Sequence, residues 1–144
     1  MPTVNRSAMV RHTPKQMFDL VNDFERYPEF LPGCCRARLL ERDESHLIGE
    51  MTLGRAGLEQ TIATRNRLFE PECIELSLVK GPFKKLTGRW KFIAMGESVC
   101  KVSLEMDFEF SSRLLGMAFG KVFQQIAGQQ VDAFTRRADQ IYGN

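Results

Sequence analysis

The sequence predicts an α+β domain: a seven-stranded, curved antiparallel sheet, two short helices after the first strand, and one long C-terminal helix lying across the sheet. Three observations carry this. At 100° per residue, Leu115, Phe119, Val122, Phe123, Ile126, Ala127, Ala133, Phe134, Ala138 and Ile141 fall on one stripe, with Lys121, Gln124, Gln125, Gln129, Asp132, Arg136 and Asp139 opposite. A helix over 113–142 runs about 43 Å, too long for a small bundle and suited to cross a whole sheet. Next, from Cys34 to Phe110 the period becomes that of strands, in six segments joined by short turns, which means antiparallel hairpins. Last, Val102, Leu104, Met106, Phe108 and Phe110 alternate with Lys101, Ser103, Glu105, Asp107 and Glu109, so one sheet face is apolar and the other meets water. The apolar face must be buried, and the long helix is what buries it. A bent sheet meets a cylinder poorly at its edges, which leaves a gap unless large side chains fill it.

Each element has its own signals. Residues 3–10 alternate loosely and read as the first strand. Thr13 caps a first helix, Pro14 suits its first position, and Gln16 completes a capping box. Met17, Phe18, Leu20 and Val21 are its apolar face. Asn22 caps a second short helix carrying Phe24 and Tyr27, and Pro28 and Pro32 stop it. Strands follow at 36–42, 46–53, 58–68, 73–80, 84–95 and 99–110, separated by turns at 43–45, 54–57, 70–72, Gly81-Pro82 and 96–98. Ser112 caps the last helix, and Gly143 ends it.

Composition fits one domain over residues 1–144. Hydrophobic residues make up 43% and charged residues 26%, with net charge +2 and pI near 8.4. That balance argues against a protein devoted to nucleic acid, and no DNA partner is expected. Residues 1–7 show no signal-peptide pattern, and no apolar run is long enough to span a bilayer. The expected location is the cytoplasm, with peripheral contact at the inner membrane as an extension. Cys34, Cys35, Cys73 and Cys100 form no metal-binding spacing and read as reduced thiols. With only His12 and His46, no catalytic constellation is in view, so no enzyme activity, metal or cofactor is expected.

The order of elements resembles the START-like, helix-grip superfamily that includes Bet v 1 and the polyketide cyclases. Within it, Val21-Asn22-Asp23-Phe24-Glu25-Arg26-Tyr27-Pro28-Glu29-Phe30-Leu31-Pro32, Thr64-Arg65-Asn66 and Gly81-Pro82-Phe83-Lys84-Lys85-Leu86-Thr87-Gly88-Arg89-Trp90-Lys91-Phe92 are similar to one branch. That branch holds the coenzyme Q-binding proteins and the bacterial ribosome association toxin RatA family. The resemblance implies a hydrophobic cavity for ubiquinone or a similar polyisoprenoid lipid, held as a ligand in support of respiration. The bacterial label implies the alternative: binding the large ribosomal subunit and blocking subunit joining. No motif separates the two.

The residues expected to form cavity and mouth are Phe24, Tyr27, Phe30, Leu31, Phe83, Trp90, Phe92, Met106, Phe108, Phe119, Phe123 and Gln130. Those beside prolines and glycines ring an entrance or form satellite core; Trp90, Phe92, Met106 and Phe108 are core or cavity wall. Gln130 lies on the apolar stripe, so its amide bonds strand backbone or faces a ligand carbonyl. Gln60, Thr64 and Asn66 give the cavity a polar side if their strand face is inward. Arg137 lies on Gln130's meridian and is expected to reach solvent. Gly116 and Gly120 mark close helix packing or a flexible helix start. Leu114 and Met117 fall off the stripe, to be covered by Phe30 and Leu31 or to face a membrane or partner. Lys80, Lys84, Lys85, Arg89, Lys91 and Lys101 read as one basic group with little acidic compensation beyond Glu97. It is a solvated face or a docking surface for anionic lipid or ribosomal RNA.

Overall fold

The computed structural model describes residues 3–55 and 57–143. The chain runs β1 (Thr3–Val10), α1 (Pro14–Asn22), a 3-10 helix (Phe24–Glu29), β2 (Cys34–Arg42), β3 (His46–Arg55), β4 (Leu58–Phe69), β5 (Cys73–Lys80), β6 (Phe83–Gly96), β7 (Val99–Phe110), α2 (Arg113–Gly128) and α3 (Gln130–Tyr142). The seven strands form one antiparallel sheet in the order β1-β7-β6-β5-β4-β3-β2. Register shifts in the β2–β3, β4–β5 and β6–β7 pairs add the local bending that lets the sheet wrap. The core lies between its concave face and the helices, with Phe18, Phe92, Phe108, Phe119 and Phe134 fully buried. The turn expected over 54–57 includes Ala56, which lies outside the described residues.

Local chemistry sets the helix ends. The Thr13 hydroxyl accepts from Gln16 N–H at 3.1 Å, and Gln16 Oε1 accepts from Thr13 N–H at 2.9 Å, the reciprocal capping box. The Ser112 hydroxyl accepts from Leu115 N–H at 3.1 Å. Gly143, at φ +85°, closes α3 with its N–H on Asp139 O.

Three details differ from expectation. Asn22 does not cap the second helix: Asp23 holds that position without a side-chain bond, and Asn22 is buried with an unpaired Oδ1. Pro28 sits inside the 3-10 helix, because so short an element forfeits one bond at most. The long helix is interrupted at Gln129, whose backbone stays near the right-handed region at φ −92°, ψ −5° and whose N–H is shared between Gln125 O and Ile126 O. Gly128 precedes it with poor helix propensity. Arg55 Nη2 donates to Gln129 Oε1 at 2.7 Å, so a residue expected to face water is tied to β3.

Candidate functional site

The interior between helix and sheet is occupied by two sets of aromatic rings. Toward the start of α2, Phe83, Phe108, Phe110, Phe119 and Phe123 interlock, with Phe123 4.9 Å from Phe83 and 4.8 Å from Phe108 by ring centroids. Toward α3, Phe24, Tyr27, Phe30, Trp90, Phe92 and Phe134 form the other set. Phe134 is 5.3 Å from Trp90 and 5.4 Å from Tyr27. Edge-on contacts at these separations add to the burial of each ring.

Between the two sets lies a cavity of about 40 Å³. Of the residues expected to hold a ligand, Phe24, Tyr27, Trp90, Met106, Phe123 and Gln130 line it. Phe30, Leu31, Phe83, Phe92, Phe108 and Phe119 do not; they pack behind the wall or at its ends. The expected gap therefore exists but is small. Drug-sized ligands need about 300–1,000 Å³, while 40 Å³ is room for a few waters at most. The reason is the phenylalanine content: large rings fill the edge where a bent sheet parts from a helix.

The cavity has a polar side. Thr64 and Asn66 of β4 line it opposite Gln130, and the Thr64 hydroxyl donates to Asn66 Oδ1 at 2.8 Å. The Tyr27 hydroxyl donates to Val21 O, and burial pushes its phenol far above the usual tyrosine range. This bond ties the 3-10 helix to the end of α1. Met51, Leu53, Ile62, Leu76 and Leu86 complete the wall. Met51 and Leu53 escaped the sequence reading because β3 lacks clean alternation, burying residues of both parities, whereas β5 alternates, with Ile74, Leu76 and Leu78 toward the core. Among the described residues, no three His, Cys, Asp or Glu side chains gather as a metal site.

Arg137 does not simply reach solvent. Its Nη2 donates to Glu29 Oε1 at 2.8 Å, and its guanidinium lies 5.0 Å from the Phe30 ring centroid. It latches the 3-10 helix onto α3. Phe30 and Leu31 are accordingly at the α3 end and leave Leu114 and Met117 uncovered, at 78% and 76% exposure. Gly116 and Gly120 lie against Phe110, yet a Cβ at either would approach it no closer than 3.7 Å.

The basic residues do not form one uncompensated group. Across the β6–β7 ladder Lys85 faces Glu109 and Arg89 faces Glu105, while Arg89 also pairs with Glu75 at 3.4 Å. The carboxylates that alternate along β7 lie on the same face as the cations of β6, as directly paired residues must. Arg89 and Lys91 border a cleft of about 680 Å³ between the β4–β5 turn and β6, together with Glu72 and Glu75. Lys80, Lys84 and Lys85 are exposed around the β5–β6 turn, where the carboxylate near Lys84 is Glu109 at 3.8 Å.

A seven-stranded antiparallel sheet wrapped on a C-terminal helix, with a cavity in the helix–sheet interior, defines the helix-grip class. Residues 10–135 match the family described as polyketide cyclase / dehydrase and lipid transport. The chain belongs to that family, in the START-like branch that holds the ribosome association toxin RatA and coenzyme Q-binding proteins. It is 48% identical to the ribosome association toxin RatA of Vibrio cholerae, over 99% of each chain. It is 23% identical to a mitochondrial coenzyme Q-binding protein of Dictyostelium discoideum, over 99% of this chain and 71% of that one. An aromatase/cyclase of Streptomyces sp. R1128 superposes with a TM-score of 0.83 over 96% of this chain and 94% of its own, at 15% identity, a likeness of fold.

Proposed function

We propose that this chain is a non-catalytic ribosome-binding factor, acting in the cytoplasm, that docks on the large subunit and hinders its association with the small one. The observation that carries this is end-to-end likeness, at 48% identity, to a protein described as a ribosome association toxin. The closed interior agrees with a function carried on the surface. The cations of the β5–β6 turn, Lys80, Lys84 and Lys85, are the natural phosphate contacts, projecting from a two-strand tip held by Phe83 beneath. Three phosphate contacts weaken binding roughly 20- to 40-fold between about 50 and 200 mM salt.

The test is co-sedimentation of the purified protein with large and small subunits across a salt series. Lys80→Glu with Lys84→Glu and Lys85→Glu is expected to release it. Arg89→Glu with Lys91→Glu, on the outer sheet face, maps the second basic site. Undiminished sedimentation of both variants refutes a basic docking surface.

One observation favours a second reading, the binding of ubiquinone or a similar isoprenoid lipid. Thr64, Asn66 and Gln130 give the internal cavity a polar wall suited to a quinone carbonyl. The family description includes lipid transport. Ligand entry then requires the phenylalanines around Phe123 to part. Organic extraction and mass spectrometry of gently purified protein test it, and a lipid-free extract counts against it.

A further inference from the structure

The first turns of α2 are apolar on both sides. Leu115, Phe119, Val122 and Phe123 face the core, while Leu114 and Met117 point outward and are the two most exposed large hydrophobic side chains among the described residues. A helix apolar all round is at home inside a protein or in lipid, and the outward face of this one has neither around it in water. The outward stripe continues to Lys121, one turn past Met117. Farther along the same face come Gln124 and Gln125, so the apolar character is confined to this tip.

Cations frame it. Lys84, Arg113 and Met117 line one open groove of about 520 Å³, floored by Phe110. Ser111 N–H donates to Pro82 O at 2.9 Å, which fixes the β5–β6 turn, with Lys80, Lys84 and Lys85, beside the start of α2. Glu109 is the acid in the groove, 3.8 Å from the Lys84 ammonium.

We infer that this tip is a docking surface for an anionic phospholipid membrane. Leu114 and Met117 enter the boundary between headgroups and acyl chains, and Lys84, Arg113 and Lys121 settle among the phosphates around them. An RNA surface accounts for the cations but gives two aliphatic side chains nothing apolar to bury against. Each cation beside an anionic leaflet contributes about fivefold to the binding constant, so these three contribute on the order of a hundredfold. The inference shares Lys84 with the ribosome reading but rests on Leu114 and Met117, which that reading does not use.

The experiment is flotation with phosphatidylcholine vesicles, with and without phosphatidylglycerol. The wild type is expected to float only with the anionic vesicles and to be released by high salt. Leu114→Glu with Met117→Glu should lower binding at least tenfold at an unchanged melting midpoint, because both side chains are already in water. Lys84→Glu with Arg113→Glu and Lys121→Glu should do the same, whereas Arg89→Glu with Lys91→Glu should not. Failure of the wild type to bind anionic vesicles overturns the assignment. So does undiminished flotation of the Leu114/Met117 variant. Analytical ultracentrifugation is run alongside: a dimer abolished by that variant makes the tip an interface between copies and overturns it too. Loss of large-subunit co-sedimentation without loss of flotation marks the tip as a ribosomal contact, with the same consequence.

Discussion

Replacing Phe123 by alanine tests whether the interior is as tightly filled as its geometry states. Phe123 is buried, touches Phe83, Phe108, Phe110 and Phe119, and forms part of the wall of the 40 Å³ cavity. Removing its ring vacates on the order of 100 Å³, which at about 24 cal/mol per Å³ costs roughly 2.4 kcal/mol. The lost transfer of the ring adds about 2 kcal/mol. The total, about 4 kcal/mol, falls within the usual range for such truncations. For a chain of 144 residues the unfolding entropy is about 0.3 kcal/mol/K, so the melting midpoint should fall about 13 °C. The new space merges with the old into roughly 140 Å³, enough for one aromatic ring. A small apolar guest such as toluene should therefore restore about 2.7 kcal/mol at a hundred times its dissociation constant. Urea and thermal melts, with and without the guest, read both effects. A loss under about 1.5 kcal/mol, or no response to the guest, means that the interior around Phe123 is not tightly filled.

Glycine substitutions probe both ends of the interior. Gly49→Ala places a methyl 2.5 Å from the ring of Phe24, which Tyr27 confines from behind, and should destabilise by about 1–3 kcal/mol in urea melts. Gly120→Ala meets nothing closer than 3.7 Å and should stabilise by up to about 1 kcal/mol. Burial pushes the Cys34 and Cys100 thiols up to about 11. The fold therefore favours their neutral form: that stabilisation is complete below the ordinary thiol value and is lost as pH rises from about 9 to 11, a decline that denaturation at stepped alkaline pH should trace.

The fold was legible because its strongest signals are local and periodic. The stripe of α2 and α3, the alternation of β7 and the capping box at Thr13 each need a few neighbouring residues to be read, and each lies where the periodicity places it except at Ile141, which is exposed beyond the edge of the core. What could not be read is what depends on distant partners. Arg137 finds Glu29 from 108 positions away and lies over the neighbouring Phe30 ring. The grouping of Lys84, Lys85 and Arg89 overlooked Glu105 and Glu109, although the alternation of β7 had already put those carboxylates on the outer face. Half of the expected ligand side chains line the cavity and half do not, because an aromatic residue on an inward face can be wall or filling. Periodicity assigns a face and says nothing of the volume left over.

That leftover volume decides what the second reading requires. To admit an isoprenoid tail, at least two rings of the Phe83–Phe123 set must leave the core, at about 2–3 kcal/mol each. Association adds a loss of translational and rotational freedom of at least about 4 kcal/mol, and more in other treatments. Each isoprene unit of five carbons returns about 4 kcal/mol if fully buried. About two and a half units therefore bring the balance to zero, and roughly four to five are needed for a micromolar dissociation constant. Quinones with one or two units should leave the melting midpoint unchanged, and those with long tails should raise it. Stabilisation by a bare benzoquinone headgroup refutes this reasoning, because recognition would then come from Thr64, Asn66 and Gln130 in a cavity with no room for the ring as it stands. A chain that gates on tail length would keep its interior shut in water and open it only where long apolar chains are at hand.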